Sequence, residues 1–445
     1  MRGRIARCTL VTLVVLGLAV AAFVGWLATA PGPTDFLAGE PPVALAKYAG
    51  ASPAGVPPEL AGASLVEKGE YLALAADCKA CHTAPGGVAF AGGRAFTLPF
   101  GTLYTPNITP DTATGIGAWS DADFLRAVHR GIGRDGQRLY PAFPYGSYAL
   151  MTDDDVLAIK AYLFSLAPVH REARPNTFAF PFNQRWTMAF WSALFVPGSR
   201  FEPVARQSAQ WNRGAYLVEA AAHCGECHTP RNVAFAMDTR RKFAGGQAEG
   251  WNAYDITADP DTGIGAWNTD QLAGYLSSPH GSAAGAAAGP MAEAVELSLS
   301  RLAPSDIDAM VAYLHTVPGL RDTRLPKTAG PASESAQAGA PDHPIGKRVF
   351  EGSCASCHAW NGAGALVTQA TLTGNRAVND PSAMNVMKMV LAGSTGADAG
   401  GPSMPGFAGS LSDTEIAEVA NYVTGRFGAV PSHATGEDVR KLRMD

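Results

Sequence analysis

Cys78-Lys79-Ala80-Cys81-His82 recurs in this chain as Cys224-Gly225-Glu226-Cys227-His228 and again as Cys354-Ala355-Ser356-Cys357-His358. Cys-x-x-Cys-His is the attachment phrase for c-type haem. Two cysteine sulfurs form thioethers with the two vinyl groups of one porphyrin, and the two intervening residues set the sulfur spacing. The adjacent histidine then falls beneath the iron as its proximal ligand. A lone Cys-x-x-Cys also suits a redox dithiol or half of a zinc site. Here six of the seven cysteines sit in three copies, each with its own histidine. The pattern predicts three covalently bound haem c groups. Cys78, Cys81, Cys224, Cys227, Cys354 and Cys357 attach them, and His82, His228 and His358 are the axial iron ligands.

A chain of 445 residues suggests about three domains. Hydrophobic residues make up 47%, enough for packed cores, while charged residues make up only 16% and the net charge is −5. Without a basic excess there is no footprint for nucleic acid. Arg2, Arg4 and Arg7 precede an uncharged run from Cys8 to Thr34, apolar from Leu10 to Leu27. Spanning a bilayer takes about 20 such residues. Ala28-Thr29-Ala30 offers a signal-cleavage site, but Pro31 directly after the cut opposes cleavage. The balance favours an uncleaved N-terminal anchor over a cleaved signal. The arginines hold the N-terminus in the cytoplasm, which puts the rest of the chain on the periplasmic side of the inner membrane. Cys8, ahead of the apolar run, reads as an inert thiol.

The organisation expected is a signal-anchor or signal peptide over 1–32, a linker over 33–62, and a first haem unit over 63–172. An aromatic-rich connector over 173–205 and a second unit over 206–322 follow. A linker over 323–342, a third unit over 343–430 and a polar tail over 431–445 complete the chain. Each unit opens on a short helix carrying a glycine and then an aromatic: Gly69 and Tyr71, Gly214 and Tyr216, Gly346 and Phe350. Each closes on a helix with one apolar face, capped by Thr152 with Asp155, opened by Pro304, or boxed by Ser412 and Glu415. Phe90-Ala91-Gly92-Gly93 recurs at 243–246, and Thr114 to Trp119 recurs residue for residue at 262–267. Trp119 and Trp267 suit porphyrin packing and plain core packing equally. The fold class predicted is mainly α, three tandem c-type cytochrome domains after an N-terminal membrane helix. The connector from Phe178 to Phe201 holds six further aromatics, Phe180, Phe182, Trp186, Phe190, Trp191 and Phe195. It either packs across the first two units or shows an apolar face to a membrane or partner.

An electron-carrying haem keeps two axial ligands, and a methionine opposite the histidine raises its potential. Met404-Pro405 in the third unit and Met291 in the second supply candidates. In the first unit, Phe143-Pro144 stands where Met404-Pro405 does, and phenylalanine cannot ligate iron. Met151 is the nearest methionine, although it aligns with Leu302 and Leu411. It either ligates or packs, and ligation is the favoured reading, with His129 as a weaker substitute. Met384, Met387 and Met389 fall on an expected helix from Ser382 to Leu391 and read as core. His223, His280, His315, His343 and His433 read as surface or structural residues.

Several further phrases carry a resemblance. They are Tyr104-Thr105-Pro106-Asn107-Ile108-Thr109, Leu139-Tyr140-Pro141-Ala142-Phe143-Pro144-Tyr145, Phe182-Asn183-Gln184-Arg185-Trp186 and Trp211-Asn212-Arg213-Gly214-Ala215-Tyr216-Leu217. With the three haem motifs, they make the chain resemble the triheme cytochrome c subunits of bacterial membrane-bound dehydrogenases, from about Leu65 to Phe427. The resemblance implies a catalytic dehydrogenase subunit of molybdenum, flavin or quinone type as partner. It also implies onward transfer of electrons to ubiquinone or a terminal oxidase. It implies a methionine where Phe143 stands in the alcohol and gluconate branches, so the departure points toward the molybdenum aldehyde dehydrogenase branch. The chain has no Gly-x-Gly-x-x-Gly, phosphate loop or nucleophile triad, so substrate oxidation is assigned to another subunit. Two alternatives stay open: a standalone membrane-anchored electron shuttle, and a haem enzyme using an open site at the first haem.

Overall fold

The computed structural model describes residues 2–29, 42–278, 285–328, 343–365, 368–394 and 403–444. The chain opens on helix α1 (Arg2–Ala28), whose stretch Thr9–Trp26 has mean hydropathy 2.3 with none of it buried. The first unit comprises α2 (Leu65–Ala75), the antiparallel hairpin β1 (Ala95–Leu98) and β2 (Gly101–Tyr104), α3 (Asp121–Arg130) and α4 (Asp153–Ser165). The connector carries α5 (Met188–Phe195). The second unit repeats the plan with α6 (Ala209–Tyr216), the hairpin β3 (Gly246–Ala248) and β4 (Trp251–Ala253), α7 (Thr269–Ser277), α8 (Pro290–Leu297) and α9 (Pro304–Leu314). The third has α10 (Pro344–Val349), α11 (Met384–Ala392) and α12 (Asp413–Phe427), and the tail adds α13 (Gly436–Met444). The chain is thus mainly helical, with two small hairpins.

In each unit the first helix crosses the last, and one glycine sets how closely. A Cβ on Gly69 would stand 1.9 Å from the Ala158 carbonyl oxygen and 3.0 Å from Tyr162 Cβ. On Gly214 it would stand 1.8 Å from the Ala309 oxygen and 3.0 Å from Tyr313 Cβ. On Gly346 it would stand 2.1 Å from the Glu418 oxygen and 2.9 Å from Tyr422 Cβ. No side chain fits these distances, so glycine permits a backbone-to-backbone crossing at the expense of helix propensity. The last helices start as their sequences direct. Thr152 Oγ1 accepts from the Asp155 amide, Pro304 occupies the first turn of α9, and Ser412 and Glu415 form both halves of a capping box. The Thr-Gly-Ile-Gly-Ala-Trp repeat folds alike twice. Cβ atoms on Gly115 and Gly117 would meet backbone oxygens at 2.2 and 2.1 Å, and on Gly263 and Gly265 at 2.3 and 2.2 Å.

The first two units share a single core, and the third has its own. A reciprocal exchange joins the pair. Tyr71 on α2 donates to Asp306 of the second unit at 2.6 Å and accepts from the Ala303 amide at 3.1 Å. Tyr216 on α6 donates to Asp155 of the first unit at 2.6 Å and accepts from the Thr152 amide at 3.1 Å. Tyr71 and Tyr216 each stand two residues after the crossing glycine, and Asp155 and Asp306 occupy the same turn of α4 and α9. Arg213 completes the joint with two bonds to Asp306 at 2.8 and 2.7 Å. In the third unit Arg348 stands in place of the tyrosine, and Glu415 turns back onto Ser412. That unit docks instead through polar contacts. Asn252 and Asn385 exchange two 2.9 Å bonds, and Tyr254 reaches Asp380 at 3.1 Å.

The described residues depart from composition at three places. Residues 42–62, expected as part of a linker, are laced to the folded body: the Val43 amide donates to Pro203 O at 2.9 Å, the Gly55 amide to Asp155 at 2.8 Å, and Arg213 to Pro53 O at 2.8 Å. Backbone hydrogen bonds hold this Pro/Ala/Gly-rich stretch where side chains offer little. The polar tail folds as α13, with Val439 buried and Arg443 on Asp413 at 2.6 Å. The connector packs some of its aromatics inward and leaves others exposed. Phe182 stacks on Phe100 at 4.5 Å, and Trp191 donates to Ala234 O at 2.9 Å, whereas Phe180, Trp186 and Phe190 are exposed. Most of 323–342 and all of His280 lie outside the described residues.

Overpacking a tight helix crossing costs roughly 1–3 kcal/mol or more. Gly214→Ala is expected to lower the unfolding temperature of the joint core. Gly346→Ala should lower only a separate transition belonging to the third unit, and calorimetry of the two variants checks this.

Candidate haem sites

Each motif histidine is held in the same way. Nδ1 lies 2.9 Å from Pro106 O in His82, 2.6 Å from Tyr254 O in His228 and 2.6 Å from Ala370 O in His358. A carbonyl can only accept, so Nδ1 carries the proton and Nε2 keeps a lone pair aimed away. Burial pushes all three imidazoles below the usual histidine range, which keeps them neutral. A neutral imidazole oriented through its other nitrogen is what an iron ligand requires. Sequence reasoning did not single out these carbonyls. The signal was the repeat alignment, since Pro106 and Tyr254 both stand two residues before an Ile-Thr pair.

The cysteines are equally telling. Burial pushes Cys78, Cys81 and Cys224 up to about 12 and Cys227 and Cys354 up to about 11. A dithiol built for redox exchange needs the opposite shift. Single π-helical turns at Leu217–Ala221 and Phe350–Cys354 deliver the chain to the second and third motifs. At the first and second, the residue before the leading cysteine, Asp77 or His223, takes positive φ.

A cavity of about 2000 Å³ borders all three motifs. It is lined by Cys81, by Cys224, Cys227 and His228, and by Cys354, Cys357 and His358. Its volume is about twice the roughly 1,000 Å³ upper end for single-ligand pockets. Met291, Met404, Trp267 and Met389 also line it. Met404 is braced: its amide donates to Ser394 Oγ at 2.8 Å, its carbonyl accepts from the Ser394 amide at 2.9 Å, and Gly393 at φ 76° lets that carbonyl pass close. Met387 is buried in the third core.

The first site differs. Phe143 packs on Tyr148 with ring centroids 5.5 Å apart. Met151 is fully buried in the joint core, with its amide on Tyr148 O at 3.0 Å. His129 is buried with neither ring nitrogen hydrogen-bonded, and its Nδ1 lies 3.7 Å from Asp153. Burial first, then Arg200, pushes it down to about 4. Trp119 packs on the joint core. His223 meets Tyr148 edge-on at 5.4 Å, and His343 pairs with Glu418 at 3.0 Å.

Charge ties the first motif to the second unit. Arg94 donates to Ala80 O at 2.8 Å and to Glu293 at 2.5 Å, and pairs with Glu249 at 3.2 Å. Beside it the Asp77 carboxyl is pushed up to about 8, by burial and by Glu293 against the pull of Arg94. The second site alone among the described residues carries a fully buried ion pair, Lys242 with Glu219, and Tyr313 donates to the same carboxylate at 2.5 Å. Leu74 and Ala89 hold the matching positions in the first unit. The pair acts on Cys224, whose thiol Glu219 pushes up and Lys242 pulls down.

These donor sets and the apolar cavity fit covalently attached porphyrins and define a c-type cytochrome. The cytochrome c family matches residues 66–167 and 345–426. The chain is 36% identical over 399 residues to the gluconate 2-dehydrogenase cytochrome c subunit of Pantoea cypripedii, covering 86% of this chain and 90% of that one. It is 36% identical over 401 residues to the fructose dehydrogenase cytochrome subunit of Gluconobacter japonicus, covering 85% and 82%. It is 42% identical over 371 residues to one chain of the nicotinate dehydrogenase of Pseudomonas putida, covering 82% of this chain but spanning only 31% of that longer protein. The chain belongs to the family of dehydrogenase cytochrome c subunits, and its cytochrome c domains carry covalently bound haem c.

Removing one partner of a buried ion pair costs roughly 3–5 kcal/mol, because the other charge is stranded. Lys242→Met is expected to destabilise the joint core by about that much. Adding Glu219→Leu, the residue type of the first unit, should recover most of the loss in denaturant unfolding.

Proposed function

We propose that the chain carries three haems, attached through Cys78 and Cys81, Cys224 and Cys227, and Cys354 and Cys357. His82, His228 and His358 are the proximal ligands, with Met291 and Met404 opposite the second and third. The haems supply one-electron transfer. The protein takes electrons from a substrate-oxidising dehydrogenase subunit and passes them to ubiquinone or a terminal oxidase. Helix α1 anchors it, with the haem units on the periplasmic side of the inner membrane. The observation that supports this reading is the cavity that the second and third motifs share and that Cys81 of the first motif borders. The named functions of the relatives support the dehydrogenase partner.

The test is purification of the native complex from membranes. The expected outcome is a large catalytic subunit co-purifying with this chain, three haems per chain by pyridine haemochrome after acid-acetone extraction, and haem reduction on adding that subunit's substrate. Two haems, or no catalytic subunit, overturns the reading.

Phe143 favours a second reading for the first haem, as an open site with enzyme chemistry. If Met151 is the sixth ligand, Met151→Ala should lower one of three midpoint potentials and remove part of the methionine-to-iron charge-transfer absorbance. Carbon monoxide binding by the wild type, with that absorbance unchanged in Met151→Ala, rejects Met151 and supports the open site.

A further inference from the structure

Several large apolar side chains of the connector and beside it are exposed, and Trp186 and Phe190 pack together with ring centroids 6.1 Å apart. Phe180 is 79% exposed, Trp186 63% and Phe190 66%, and Val233 from a neighbouring loop of the second unit is 77% exposed. Large apolar side chains gathered in this way mark a contact surface. The segment that supplies most of them has an unusual charge pattern. From Thr177 to Phe201 it holds no acidic residue and two arginines, Arg185 and Arg200, in a chain whose net charge is −5.

The position of α1 says what covers this face. Helix α1 touches α5. At its apolar end, Arg240 of the second unit donates to Trp26 O at 2.6 Å and lies 4.3 Å over the Trp26 ring. Trp26 ends the apolar window of α1. Tryptophan prefers the boundary between hydrocarbon and headgroups, and arginine keeps its charge among headgroups while its stem lies on apolar surface. That boundary therefore passes where α5 lies. A protein partner is the alternative occupant, but the acid-free segment offers no carboxylate to complement a basic one, whereas Arg240 beside Trp26 suits phosphate headgroups.

We propose that α5 and its flanking loops lie within the membrane interface, with Phe180 and Trp186 among the lipid chains as a second attachment beside α1. The inference rests on the reading of α1 as an uncleaved anchor. It makes the chain a protein that both spans and lies on the bilayer, with the first two units pinned in a fixed orientation above the lipid.

The test uses the whole complex in native membranes and an apolar, carbene-generating reagent dissolved in the bilayer, with labelled peptides mapped by mass spectrometry. Labelling is expected on α1 and on residues 178–196. Trp186→Glu should cut labelling of 178–196 several-fold and leave that of α1 unchanged. Labelled α1 with unlabelled 178–196 overturns the inference and leaves the anchor intact. Absence of α1 from the mature chain, with 178–196 unlabelled, overturns both. Labelling of 178–196 that appears only after the catalytic subunit is stripped assigns the face to a protein partner and also overturns the inference.

Discussion

The distance between the first and last helix of each unit governs the rest. Backbone contact at Gly69, Gly214 and Gly346 draws the two helices together below the separation that any side chain permits. The motif follows closely on the first helix, so the crossing fixes where each cysteine pair and histidine emerge. The long loop between the motif and the last helix must then supply everything else: the carbonyl that holds the histidine, the tight glycine turns and the candidate sixth ligand. A loop can do this reproducibly only when its ends are held rigidly, and the crossing holds them.

The same crossing decides which units fuse. Tyr71 and Tyr216 project from equivalent places, each into the partner unit, and each finds the aspartate at the equivalent turn of that unit's last helix. One interaction used twice in opposite senses is how a twofold interface is built, here within a single chain. Burying a carboxylate is costly unless its oxygens are satisfied. Asp306 is met by Tyr71 and Arg213, and Asp155 by Tyr216 and the Gly55 amide. Arg348 removes the option from the third unit, which keeps a separate core and a polar, docked contact.

The motifs, the helical class and the capping residues were legible because each depends on local spacing. The capping box at Ser412 and the start at Thr152 are written within four residues. What was not legible depends on partners distant in sequence. Tyr71 is 235 residues from Asp306, and Tyr216 is 61 from Asp155. The stretch around Gly55 looked like a linker because its role is carried by backbone groups, which leave no trace in composition. The carbonyls behind the histidines escaped notice for the same reason.

The three haems proposed would be equivalent in three copies of one frame unless something distinguished them. Axial ligands, burial and nearby charge are the means a protein has for setting a haem potential, and these are what the units do not share. The first proposed site lacks the methionine expected at Phe143 and sits beside the near-neutral carboxyl of Asp77. Among the described residues the second alone buries a Lys–Glu pair, with the carboxylate dominating at Cys224. The third keeps Met404 in a braced loop, and its Cys357 is exposed. Three haems held in this frame would therefore have different surroundings, which is the condition for different potentials.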